Sequence, residues 1–190
     1  MKYKIFVSAN QRELRAERRA VKDYVLGDAL LSEYFDVFLF EDAPARSRSA
    51  ETAYLEEVRK SDIYIGILGE KYGGTRKDKI SPTEAEFQEA GKKHKNILIY
   101  IQGDNIRDKK RERGIQVLIK KVQNSKRGFS YKRFGDIPEL TRLVYASLIE
   151  FLKEEGIVGR GAFDERVCKK AKFTDIDEER IRWFLKVARE

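Results

Sequence analysis

The sequence predicts an α/β domain: a doubly wound parallel sheet in the flavodoxin-like order 2-1-3-4-5, followed by a C-terminal helical tail. Three observations predict it. Short runs that are apolar throughout recur along the first hundred residues, as strands buried on both faces require. Segments of helical spacing separate those runs, and right-handed crossovers then leave few parallel-sheet topologies. The 190-residue chain is 41% hydrophobic, so it can enclose one core without staples.

The elements follow in order. Lys4-Ile5-Phe6-Val7 reads as a first strand ending at Ser8. Residues 11–26 read as a helix touching the core through Leu14, Val21 and Val25, with Ser8 and Gln11 at capping-box spacing. Val37-Phe38-Leu39-Phe40 is a second strand, stopped by Glu41-Asp42-Ala43-Pro44, and residues 51–60 are a short helix. Residues 63–68 form the third strand, which opens into a loop carrying Gly69, Tyr72, Gly73 and Gly74. Ser81-Pro82-Thr83-Glu84 is a full helix-start signal for a helix to about Lys93. Residues 97–101 are the fourth strand, residues 114–123 a helix, residues 128–134 a fifth strand and residues 139–155 a helix. Residues 1–155 are therefore expected to be one domain. Residues 156–190 are expected to be a linker and a last helix, which either ends as a frayed terminus or leads into a domain not present.

Composition narrows the function. One Cys, Cys168, and one His, His94, exclude a disulfide framework and a zinc site of ordinary spacing, and the lone His argues against a Ser/His/Asp triad. No metal and no cofactor are expected. The chain lacks a signal-peptide pattern and a membrane-length apolar run, so a cytoplasmic location is expected. Abundant Lys, Arg and Glu beside few Cys, Met and His is a composition seen in hyperthermophile proteins. The net charge of +8 is concentrated: residues 107–133 hold eleven basic residues against Asp108 and Glu112. Such a stretch can track phosphates or form a solvated face.

In this strand order the connections reverse between strands one and three, opening a ligand crevice at their carboxyl ends. The glycines beyond the third strand match neither standard phosphate-binding fingerprint. Gly69 and Gly73 either shape a turn or let backbone approach a ligand beside Tyr72. Among three close carboxylates, Glu84 has the capping-box position and Glu89 reads as a solvated charge. Glu86 has no local partner three or four positions away and stands beside the predicted crevice. A carboxylate there suits the oxocarbenium-like centre formed when an N-glycosidic bond breaks, and a surface glutamate is the plain alternative. Glu41 and Asp42 either bind ribose hydroxyls or end the strand. Ser8 either contacts ligand or caps the helix.

Several segments, taken in order and spacing, resemble the Toll/interleukin-receptor (TIR) pattern. They are Lys4-Ile5-Phe6-Val7-Ser8, the run from Phe35 through Asp42, the run from Leu55 through Gly66, and Lys71-Tyr72-Gly73. The resemblance extends to an uncharacterised prokaryotic TIR-like family through Ser8-x-x-Gln11-Arg12-Glu13-Leu14-x-x-Glu17-Arg18 and the helix from Ser81 to Ala90. Catalytic TIR domains and the similarly folded nucleoside deoxyribosyltransferases carry their essential glutamate in a Glu-apolar-x-x-Ala segment, which Glu86-Phe87-Gln88-Glu89-Ala90 resembles. The Trp-Cys pair common before that glutamate is replaced here by Ser81-Pro82-Thr83. The tail, from Phe163 through Ala188, faintly resembles the lead-in to Schlafen/AlbA-like DNA-binding domains.

The resemblance implies a TIR-like domain cleaving or transferring across an N-glycosidic bond of NAD or a related nucleotide, in prokaryotic defence or signalling. Glu86 would be catalytic, with Ser8, Glu41, Asp42, Gly69, Tyr72 and Gly73 binding the substrate, and NAD is a substrate rather than a cofactor. One rival is a non-catalytic self-association or sensing module of a larger regulator. The other is a nucleic-acid-binding domain using Lys109, Lys110, Arg111, Arg113, Lys120 and Lys121.

Overall fold

The computed structural model describes residues 2–44, 50–76, 79–93, 96–124 and 128–158. Five strands form one parallel sheet: β1 Tyr3–Ser8, β2 Phe35–Phe38, β3 Ile63–Leu68, β4 Asn96–Gln102 and β5 Tyr131–Phe134. Their order is β2-β1-β3-β4-β5, as the sequence predicts. The helices are α1 Arg15–Gly27, α2 Leu31–Tyr34, α3 Ala50–Lys60, α4 Pro82–Lys92, α5 Arg113–Val122 and α6 Ile137–Glu154.

Strand side chains alternate between two cores, because successive residues of a strand point to opposite faces. Ile5, Val7, Ile63, Ile65 and Ile67 meet Val21 and Val25 of α1 and Leu140, Val144 and Leu148 of α6. On the other face Phe6, Tyr64, Ile99 and Ile101 meet Val58 of α3, Ala90 of α4 and Ile115, Leu118 and Ile119 of α5. All six residues of β3 are buried, and the middle strand of a two-sided sheet has no polar face to offer.

The structure moves several predicted boundaries. The first helix begins at Arg15, and Ser8, still paired within β1, does not cap it. Asn10 organises the entry instead: its side-chain oxygen accepts the Arg12 N–H at 3.1 Å and its carbonyl the Leu14 N–H at 2.9 Å. β2 starts at Phe35 because β1 offers a partner from Tyr3 onward, and the apolar run then leaves the sheet in a 3-10 turn, Phe40–Asp42. The short α2 had no sequence signal strong enough to predict it; the Asp28 carboxylate receives the N–H groups of Leu30 and Leu31 at its start. β5 loses residues 128–130 because Gly128 and Phe129 donate back to Asn124 and Val122 at the end of α5.

α6 starts earlier than expected, at Ile137. Asp136 accepts the Glu139 N–H and Glu139 returns to the Gly135 N–H, both at 2.8 Å. At its other end Gly156, which the sequence reading placed in a linker, takes φ +68°. The Ile157 N–H then reaches the Leu152 carbonyl and the Gly156 N–H the Lys153 carbonyl, a complete Schellman cap. The rest of the predicted linker, the last helix, Cys168 and His94 lie outside the described residues. No helix among the described residues is long and apolar enough to cross a membrane.

Candidate active site

At the carboxyl ends of β1 and β3 lies a crevice of about 610 Å³. β1 ends at Ser8, opposite Gly66 of β3, the chain beyond β2 supplies Phe40, and the N-terminal turns of α4 close the far side. The wall is partly aromatic, with Phe6, Phe40 and Tyr54, and its mouth carries the exposed cations Arg12 and Lys71.

α4 sorts its three glutamates by rotation. Residues two apart on a helix lie about 200° apart around the axis. Ser81 caps the helix by accepting the Glu84 N–H at 3.2 Å. The Glu84 carboxylate does not complete a capping box. It turns toward α5 and the β3 loop, where it receives Lys121, the Tyr72 hydroxyl and Gln88. Burial opposes its charge, yet the bonds from Lys121 and Tyr72 hold its carboxyl below the usual range. The Tyr72 hydroxyl also takes the Ser81 N–H at 3.1 Å, the position a capping-box carboxylate would fill. Glu89 is not a free solvated charge: it pairs with Arg59 of α3 at 2.6 Å.

Glu86 faces the opposite way, over β1. It is 8% exposed, lines the crevice, and accepts a hydrogen bond from the Ser8 hydroxyl. Burial pushes its pKa up from 4.5 to about 7, against the opposing pull of the Ser8 bond and the Arg18 charge. Beneath it the Tyr64 hydroxyl is buried, and burial together with the Glu86 charge drives its pKa well up. It stays protonated, as a donor. Glu86 is thus a carboxyl that changes charge near neutrality within a partly apolar cleft, the condition under which a carboxylate can stabilise a developing cation.

The glycine loop is held by acids. The Glu13 carboxylate takes the N–H groups of Glu70 and Lys71 at 2.6 and 3.0 Å, and Glu112 takes that of Tyr72 at 2.6 Å. Those donors are occupied, so the loop backbone cannot cradle a phosphate at these positions. A Cβ at Gly69 would stand 2.7 Å from the Glu13 carboxyl, so a side chain there would displace the carboxylate that holds the loop amides. Gly73 has φ +84° and a Cβ would meet Asn10.

Of the residues singled out from sequence, Glu86, Tyr72 and Gly73 line the crevice, and Ser8 touches it through Glu86. Gly69 serves the loop rather than the cleft. Glu41 and Asp42 do not line it: they turn to α1, Glu41 to Arg18 at 2.7 Å and Asp42 to Lys22 at 2.7 Å. Tyr72 is pinned by its hydroxyl to Glu84, with its ring against Gly114. The nucleic-acid face loses Arg111, which is 3% exposed and donates to the carbonyls of Gly69 and Gln102 and to Asp108. Lys121 is paired with Glu84, whereas Lys109, Lys110, Arg113 and Lys120 are exposed. Phe134, the aromatic that follows the basic stretch, is buried in the core and offers no ring for a base to stack on. Among the described residues no three His, Cys, Asp or Glu are placed to hold a metal.

Sequence reasoning missed Arg18, Asn10 and Glu13. A signal for Arg18 was present: it occupies the α1 stripe of Leu14, Val21 and Val25, where a charge is out of place.

Fold and site together define a flavodoxin-like α/β domain whose switch-point crevice holds a buried carboxyl. The chain belongs to the family described as a domain of unknown function, DUF4062, whose model matches residues 4–149. No curated protein matches it. Among solved structures it is similar to a CMP N-glycosidase, BcmB, of Clostridium botulinum, with 13% identity over 76% of this chain and 98% of that one and a TM-score of 0.47. Oxidised flavodoxin 1 of Bacillus cereus shares 15% identity over 77% and 96%, with a TM-score of 0.35. A putative quinone reductase of Klebsiella pneumoniae shares 10% over 80% and 84%, with a TM-score of 0.40. None of the three bears on the chemistry of the crevice.

Proposed function

We propose that the domain cleaves an N-glycosidic bond of NAD or a related nucleotide, with Glu86 as the carboxylate at the reacting sugar carbon. The observation that carries this is the placement of Glu86: buried, bonded to Ser8, lining an open crevice, and with a pKa pushed to about 7. In its charged form it would stabilise the positive charge that develops as the bond from sugar carbon to base nitrogen breaks, or attack that carbon. The bonding pair leaves on the base, and water adds to the carbon and gives up a proton. The aromatic wall suits a planar base, and Arg12 and Lys71 at the mouth suit phosphates, since the loop amides are taken.

The test is to incubate the protein with NAD and with nucleoside 5′-monophosphates and follow free nicotinamide or base by chromatography. Release by the wild type that disappears in Glu86→Ala supports the reading. Release from none of them, or equal rates in both proteins, removes it.

A further inference from the structure

Arg18 stands where an apolar residue would be expected. Leu14, Val21 and Val25 of the same stripe are all buried, and the Arg18 side chain is 3% exposed while lining the crevice. One nitrogen, Nη2, makes its hydrogen bonds, to Glu41 at 2.7 Å and to the Val7 carbonyl at 3.4 Å. Nε and Nη1 are buried and have no acceptor. Buried donors left unpaired forfeit the bonds they make in water, so they are rare where nothing ever binds. Both nitrogens are closed to water as Arg18 stands, so an acceptor in the cleft that Arg18 lines can pair with them only if the guanidinium turns outward.

Charge decides which acceptor fits. Glu41 already balances the guanidinium, and Glu86 is near enough for its charge to act on Arg18. A phosphate or carboxylate brought there would add negative charge beside two carboxyl groups that share one cation. A hydroxyl adds none, because its oxygen accepts from Arg18 while its proton goes to Glu86.

We infer that Arg18 is a specificity-determining residue that, together with Glu86, binds the 2′-hydroxyl of a ribosyl ligand and selects it over the 2′-deoxy form. The inference rests on the crevice being a nucleotide site and needs no bond to be cut there.

The experiment is calorimetric titration with AMP, CMP, GMP and UMP, their 2′-deoxy counterparts and inorganic phosphate. The wild type is expected to bind at least one ribonucleotide ten or more times more tightly than its deoxy form. Arg18→Met is expected to bring that ratio within threefold. Arg18→Lys keeps a cation against Glu41 with a single nitrogen, folds if the ion pair is what α1 needs, and is expected to lose the ratio as well. Four results overturn the inference: no discrimination by the wild type, discrimination retained in a folded variant, no binding of any ribonucleotide, or phosphate binding that is lost with Arg18. Turnover is not read. Selective binding without base release removes only the proposed cleavage, and base release without selectivity removes only the role of Arg18.

Discussion

The Ser8 hydroxyl, at the carboxyl end of β1, donates to the Glu86 carboxyl on α4, joining residues 78 positions apart across the sheet's switch point. That bond favours the charged form of Glu86 against the burial that opposes it. Ser8→Ala removes it. A bond of about 1.5 kcal/mol moves a midpoint by about one pH unit. The rising limb of base release against pH, expected near pH 7 in the wild type, should therefore move to higher pH in Ser8→Ala. An unmoved limb contradicts this role for Ser8.

Glu86 also sets a stability signature. Its folded pKa of about 7 lies above the ordinary 4.5, so the folded state holds the proton more tightly than the unfolded chain. The stability that this proton supplies is fully present below the ordinary value and is lost as pH rises through about 7. The loss is about 3 kcal/mol. Glu86→Gln has no such proton to lose, so its stability relative to wild type should rise by roughly that amount between about pH 4 and about pH 8. Urea unfolding at both pH values measures it, and a constant difference between the proteins contradicts it.

The fold was legible where burial dictated composition. β1, β3 and β4 are apolar because helices cover both faces, and Ser81 and Pro82 start α4 as the motif predicts, although the Tyr72 hydroxyl takes the place of the Glu84 carboxylate in the cap. Boundaries set by partners were not: β2 begins where β1 can pair with it, and residues 128–130 leave β5 for the end of α5. In the site, Glu86 could be singled out because no neighbour on its own helix explains it. Glu41 and Asp42 sit in the turn that ends the β2 run, one of the two readings open from sequence, but their partners Arg18 and Lys22 lie on α1, about twenty residues away, and could not be read from it. Tyr72 could not be read as a structural clamp for the same reason, since Glu84 and Gly114 reach it from other elements.

Glu13 holds the loop after β3 by two backbone amides. Glu13→Ala should cost about 1.5–3 kcal/mol, two exposed charge-assisted bonds together being worth roughly what one such bond is worth when buried. Hydrogen exchange at Glu70 and Lys71 should speed up, while amides in β3 stay protected. Unchanged exchange at both loop amides would show that the loop stands without Glu13.

Arg111 tests the basic segment. Its guanidinium is buried against two carbonyls and Asp108, so Arg111→Met should destabilise the domain by about 2–4 kcal/mol. Lys109→Ala and Lys120→Ala, at exposed positions, should fall within about 0.5 kcal/mol of wild type. Thermal unfolding separates the two groups, and an Arg111 variant as stable as the lysine variants would contradict its structural role.

The central claim is that the Glu86 carboxylate performs the cleavage. The most direct measurement is base release by wild type and Glu86→Gln, side by side at about pH 8, where the wild-type carboxyl is charged. The amide keeps the shape of the side chain but cannot carry the charge. A fall of about a thousandfold or more in a variant that stays folded and still binds the nucleotide is the predicted result. Rates within threefold of each other would contradict it.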